Sequence, residues 1–382
     1  ASGCDLEVSQ YWGGSYRVSD LEFVDDRRRP LLAEIGGLMR ARTFNVLILL
    51  VIVSVGAATY IVSRSVEDPR FTKIGQPVFP SLIDQVNNIT ELNIVSSKGS
   101  ITVRRTDKSW RVVESRDHPA DPKEVFKAIV GIAELKYFEP KTERKEKLAR
   151  LRLDDPTKPG SRSKRVILKI GDRVVADVVV GREKLFLPGL TVGGVYFRLP
   201  QVSESWLARG NPEAGGLPKD WLAREIVNID AKRVKSVTIR HDDNDIVQVS
   251  KPKIGAPKFV LSDMPAGMKV KYPSDLEILG AILERLEMDD ARHVADQTID
   301  WNGSIVAEVE TFDGIRVFLE TVNRNGIDWL RIKLEAFSLE TQKEVRDIIK
   351  RTAGWVYMMP RYEVVPIQRR MRDLLIPEDA PS

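Results

Sequence analysis

Between Arg42 and Arg64 the chain reads TFNVLILLVIVSVGAATYIVS, 21 residues without a charge. As a helix this stretch rises about 31 Å, close to the roughly 30 Å hydrocarbon core of a bilayer. Leu47, Ile48, Leu49, Leu50, Val51, Ile52 and Val53 form an apolar block with no helical period, so every face of such a helix is apolar. A buried core helix is one alternative. A cleavable signal peptide is another: Arg40 and Arg42 follow Met39, an apolar core runs from Val46 to Val55, and small residues stand at 56–58. Against cleavage, Tyr60, Ile61 and Val62 extend the apolar run past the expected cut, and 38 residues precede Met39. We therefore expect a transmembrane helix over 44–63. Ser54, Gly56, Ala57 and Ala58 give it a candidate close-packing patch. Arg27, Arg28, Arg29, Arg40 and Arg42 precede it; Arg64, Arg70 and Lys73 follow it. That bias predicts a cytoplasmic N-terminus and a C-terminal domain outside the inner membrane, hence periplasmic.

With 59 basic against 55 acidic residues, the net charge of +4 is a small difference between large numbers. No basic stripe interleaves with aromatics, so no nucleic-acid partner is expected. A hydrophobic content of 42% with 30% charged residues indicates a globular chain, and its 382 residues exceed what one core usually holds. Cys4 is the only cysteine, which excludes an intrachain disulfide and a cysteine-based metal site. "ASGC" has a lipobox-like look, but no apolar run precedes it here.

The segment 1–43 reads as a poorly structured cytoplasmic leader, with Met39 a possible alternative start. Pro69, Pro77 and Pro80 suit an extended stalk over 64–83, so folded structure is expected from about Leu82. Then "ELNIVSS", "SITVRRT" and "SWRVVES" alternate as strands. "DPKEVFKAIVGIAELKYF" follows as a helix capped by Asp121 with Pro122 at its first position. "RVILKI", "VVADVVVG" and "GVYFRLP" complete a set of six strands. The same order returns: "VKSVTIR", "DIVQVSK" and "KFVLSD", a helix over 274–288, then "SIVAEVET", "IRVFLET" and "DWLRIKL". We expect an α+β fold of two related lobes, 84–228 and 229–366, each an antiparallel sheet carrying a helix. A loop rich in glycine and proline, "NPEAGG", connects them, and 367–382 form a C-terminal tail.

No phosphate loop, nucleophile elbow, zinc-protease or dinucleotide motif is present. His118, His241 and His293 stand singly and read as surface or packing residues. The SxxK matches at Ser161–Lys164 and Ser250–Lys253 lack companion motifs. "HDDND" at 241–245 reads as a hairpin turn rather than a calcium loop, lacking the glycine and distal glutamate. The tryptophans read as core. No catalytic, cofactor or metal residue is assigned, and no cofactor is expected.

The "KSWRVVES…ADPKEVFKAIVGIAELK", "RVILKIGDRVVADVVVGRE…GGVYFRLP", "DWLAREIVNIDAKRVKSVTIR" and "GWVYMMPRYEV" blocks, behind a single apolar span, resemble a bacterial family known as domain of unknown function 4340. Its members are discussed beside gliding-motility-type ABC transporter components. The resemblance covers roughly residues 40–372 and carries over no site residue. It implies a membrane-anchored auxiliary or scaffolding protein, not an enzyme, working with an inner-membrane complex such as an ABC permease. The alternative is a periplasmic ligand-binding or sensor module with a cleft between the lobes near "NPEAGG".

Overall fold

The computed structural model describes residues 41–66, 72–107 and 109–379; the leader, Cys4 and Met39 lie outside them. The chain divides into two compact units, with the division between Glu67 and Asp68.

The first unit contributes helix α1, Ala41–Val66. Its large apolar side chains, among them Leu47, Leu49, Val51, Ile52, Val53 and Ile61, are all exposed and lie on all sides of the helix. Among the described residues no helix is long and apolar enough to cross a membrane. The described side chains of α1 run over 45–61, a rise of about 26 Å.

The second unit holds two large antiparallel sheets. In the first, β1 (Glu91–Ser96), β2 (Gly99–Thr106), β3 (Ser109–Val112) and β4 (His118–Pro119) form a meander. Helix α2 (Pro122–Ala133) follows, with the Asp121 side chain accepting from Lys123 N at 2.8 Å and Pro122 in the first turn, as the sequence predicts. Then comes β5 (Lys136–Pro140), and a second meander of β6 (Lys164–Ile170), β7 (Arg173–Lys184), β8 (Gly194–Arg198) and β9 (Ser205–Arg209). The spatial order is β4-β3-β2-β1-β6-β7-β8-β9-β5. Alternation decides the faces: Leu92, Ile94, Ile101, Val103, Val166 and Leu168 turn inward and meet Val125, Ile129 and Ile132 of α2.

After β10 (Glu225–Val227), the second sheet begins with β11 (Val234–Arg240), β12 (Ile246–Ser250) and β13 (Val260–Leu261). β14 (Met268–Val270), α3 (Pro273–Gly280), β15 (Leu286–Glu287) and β16 (Asp290–His293) follow. The return meander is β17 (Ile305–Thr311), β18 (Ile315–Arg324), β19 (Ile327–Ala336) and, after helix α4 (Gln342–Thr352), β20 (Trp355–Met359). β21 (Leu375–Pro377) pairs with β14, and β10 with β15. The spatial order, β13-β12-β11-β17-β18-β19-β20-β16, is that of the first sheet strand for strand, β4 apart.

Several elements differ from expectation. Each helix stops earlier than its periodicity suggests, α2 at Ala133 and α3 at Gly280, and the strands β5 and β16 that follow form the far edges of the sheets. The repeated unit is therefore three strands, a helix and five strands. The presumed stalk joins the fold before Leu82: Gly75 N donates to Tyr137 O at 2.8 Å, Tyr137 N to Gln76 O at 3.0 Å and Val78 N to Leu135 O at 2.8 Å. This short ladder covers the open edge of β5, and Val78 is buried. The expected boundary at 228 and 229 lies inside the second unit, whose main core draws on both sheets and on α2, α3 and the helix Gln342–Thr352. The connection explains why. "SWLAR", just before the expected loop, is β9, and the segment beyond it ladders both ways. Asp121 N donates to Trp221 O and Ala223 N to Pro119 O, each at 2.8 Å, while Met288 N donates to Arg224 O at 2.9 Å.

Candidate functional site

The packing patch read from the sequence falls on α1, at about 100° of rotation per residue. Ser54, Ala57 and Ala58 then share one arc of about 100°, while Gly56 lies about 100° beyond Ala57. Three of the four residues form a face and the glycine opens another. Thr59 Oγ1 donates to Val55 O at 2.9 Å, satisfying its hydroxyl within the helix. A Cβ at Gly56 would meet nothing within 4 Å, so its small size leaves room for a neighbour.

The motif matches resolve into structural roles. Ser161 Oγ and Ser163 Oγ lie 2.8 Å apart in a buried turn, and Lys164 Nζ donates to Ala214 O, so serine and lysine face different partners. His241–Asp245 forms the β11–β12 turn, with His241 N donating to Asp245 O at 3.0 Å and Asn244 at φ +67°. Arg370 pairs with Asp243 at 2.6 Å and Asp245 at 3.5 Å, filling the place a cation would take. Among the described residues no group of three or more His, Cys, Asp or Glu is placed to hold a metal ion. Trp206 and Trp221 are core residues.

A junction between the two sheets carries no signal in the sequence. His118 in edge strand β4 meets the Trp355 ring at 4.6 Å edge-on, and His293 in edge strand β16 meets the same ring at 5.3 Å. Arg116 Nε and Nη2 each reach an Asp296 carboxylate oxygen at 2.5 Å, clamping the same seam. Burial pushes His118 down to about 4, so it is neutral at neutral pH. A carbonyl only accepts, so Nδ1–H donates to Pro119 O at 2.9 Å, leaving the lone pair on Nε2. Beside it a cavity of about 80 Å³ is lined by His118, Glu225, Arg351 and Tyr357 among others. That holds a few waters and falls well short of the roughly 300 Å³ at which small-molecule sites begin. Burial also raises the Tyr357 hydroxyl, which stays protonated.

Larger recesses are open at the surface. One of about 430 Å³ lies over β17–β19, where Arg331 pairs with Glu320 at 2.6 Å and stacks 4.4 Å over Trp301. Another, of about 450 Å³, lies at Gly210 and Asn211, the start of the "NPEAGG" connection. It opens at the β5–β9 edge of the first sheet and not between the sheets.

Residues 110–298 match the family model described as Domain of unknown function (DUF4340), a stretch just under half of the chain. It runs from β3 past β16 and takes in α2, α3 and the laddered connection. The match supports that domain family. No curated protein and no solved structure matches the chain.

Proposed function

We propose that this chain is a single-pass membrane-anchored accessory or scaffolding protein that acts by association rather than catalysis. Helix α1 carries the reading: apolar side chains exposed on every side suit a lipid surround and nothing in water. On this reading the span is 44–63, the N-terminus is cytoplasmic and the sheet-bearing unit is periplasmic. The Ser54, Ala57, Ala58 face suits close approach to a neighbouring membrane helix. The partner we propose is an ABC permease, from the family resemblance. We also read the two sheets as copies of one ancestral unit, because their strand orders match. The ligand-binding alternative has less support, since the cavity at the seam has room only for water.

The test exchanges residues 44–63 for a polyleucine span in the full chain. Retained carbonate-resistant membrane association with loss of co-purifying permease supports the reading. Release of the protein by carbonate before any exchange refutes the anchor; retention of every partner after it makes α1 a tether only. Alkaline phosphatase fused after Ser382 is expected to be active.

A further inference from the structure

Hydrogen-bond register places Lys184 of β7 opposite Gly194 of β8, Gly194 opposite Arg209 of β9, and Arg209 opposite Lys136 of β5. Residues directly opposed in antiparallel strands present their side chains on the same face. Three cations thus project from one row at one end of the first sheet. Arg209 and Lys136 are adjacent, an arrangement that like charges disfavour. Yet none of the three is in an ion pair among the described residues. The recess of about 450 Å³ at this end has both of them in its wall, with Glu134 the single acid lining it.

Over the same row crosses the β7–β8 loop. Leu187 pins it, buried against Leu148, Leu153 and Leu207. Leu187 N donates to Val192 O and Leu190 N to Leu187 O, each at 3.0 Å, so the loop is held in shape. That shape leaves Leu185 80% and Phe186 68% exposed, with Leu190 and Val192 more than a third exposed. Single exposed apolar residues are ordinary on a protein surface. A consecutive Leu-Phe held outward beside unpaired cations is the arrangement of an interfacial membrane contact, with apolar groups for the acyl boundary and cations for phosphates.

We infer that this end of the first sheet docks on an anionic phospholipid bilayer, with Leu185 and Phe186 entering the interface and Lys136, Lys184 and Arg209 meeting the phosphates. The occupant is argued from the chain path. Pro77 bridges to Lys136, so the same row continues into the segment arriving from α1, and ten residues separate it from Val66. The inference rests on the anchor reading, under which a bilayer is joined to the β5 edge by a short run of chain.

The experiment uses the full chain carrying Cys4→Ser, with single cysteines labelled by an environment-sensitive fluorophore in vesicles containing spin-labelled phosphatidylcholine. Three sites are compared: Leu185→Cys, Ile52→Cys in α1, and Asp172→Cys at the opposite end of β7. In phosphatidylcholine with phosphatidylglycerol, roughly 3:1, the probe at 185 should be quenched about twofold more than the probe at 172. That excess should shrink with Lys136→Gln and Arg209→Gln together, and in phosphatidylcholine alone. Equal quenching at 185 and 172 overturns the inference and leaves the loop to a protein partner. The probe at 52 reports the anchor separately: unquenched there, the anchor reading fails, while excess quenching at 185 still sustains docking.

Discussion

The two sheets solve the same connection differently. Between β18 and β19 the chain turns in two residues, Asn325 and Gly326, at φ +54° and +78°, the mirror-image turn that suits twisted strands. Between β7 and β8, the corresponding strands of the first sheet, it takes the nine residues 185–193. Closing this hairpin therefore needs two residues, and the other seven are free for another use. The charges differ in the same sense. Beside the short turn, Asn323 Nδ2 donates to Asp328 Oδ1 at 2.7 Å and Arg324 pairs with Asp300 at 3.6 Å. Beside the long loop, Lys184, Arg209 and Lys136 find no such partner among the described residues. One end is finished as structure, and the other is left chemically open.

The strongest way to break the comparison is to ask whether the sheets fold separately. Trp206 in β9 and Tyr357 in β20 hold corresponding buried positions of one continuous core. Trp206→Ala should cost about 3–5 kcal/mol. In urea unfolding it should shift a single transition, with hydrogen exchange in β17–β19 accelerating along with β6–β8. Two transitions, only one of them displaced, would show that the sheets are independent.

Next comes the seam that joins them. Folded His118 titrates at about 4 against 6.5 when exposed, so the unfolded chain binds the extra proton between these values. Stability therefore falls as pH drops from about 6.5 to about 4, by up to about 3 kcal/mol, and is insensitive to this group above pH 7. His118→Phe should flatten that part of the urea midpoint against pH. Asp296, held low by its hydrogen bonds to Arg116, adds a loss at more acid pH with the same sign.

A sharper version concerns the loop itself. Leu187→Ala should destabilise by about 2–3 kcal/mol through the small cluster it fills, whereas Leu185→Ala and Phe186→Ala should leave the urea midpoint within about 0.5 kcal/mol. If all three cost the same, Leu185 and Phe186 are packed and not presented. Smallest is Gly326→Ala, about 1 kcal/mol, since a Cβ is strained at that positive φ and nothing else crowds it.

Much of this architecture is legible in the chain. All twelve alternating runs singled out in the sequence contain strands, because each half-buried strand writes its faces into the alternation. The edge strands β5 and β16 escaped for a definite reason. Ile129, Ile132 and Leu135 keep a helical spacing, yet Leu135 is buried after the helix has ended, packed from a turn. The composition of "NPEAGG" hid β9 just before it. The seam and the cationic row were not legible at all. His118 and Trp355 meet across more than two hundred residues, and Lys184, Arg209 and Lys136 align only once strand register is known.

The ladder of residues 75–78 along β5 also fixes how the fold would respond to force. Among the described residues, a pull arriving through the chain from α1 passes the Lys73–Glu204 ion pair at 3.2 Å and then loads the hydrogen bonds of Gly75, Tyr137 and Val78, which lie at the outermost edge of a nine-stranded sheet. Those bonds would bear the tension before any core strand does. Their rupture would lengthen the connection by a few residues while leaving the sheet paired, so the attachment can yield without unfolding what it carries.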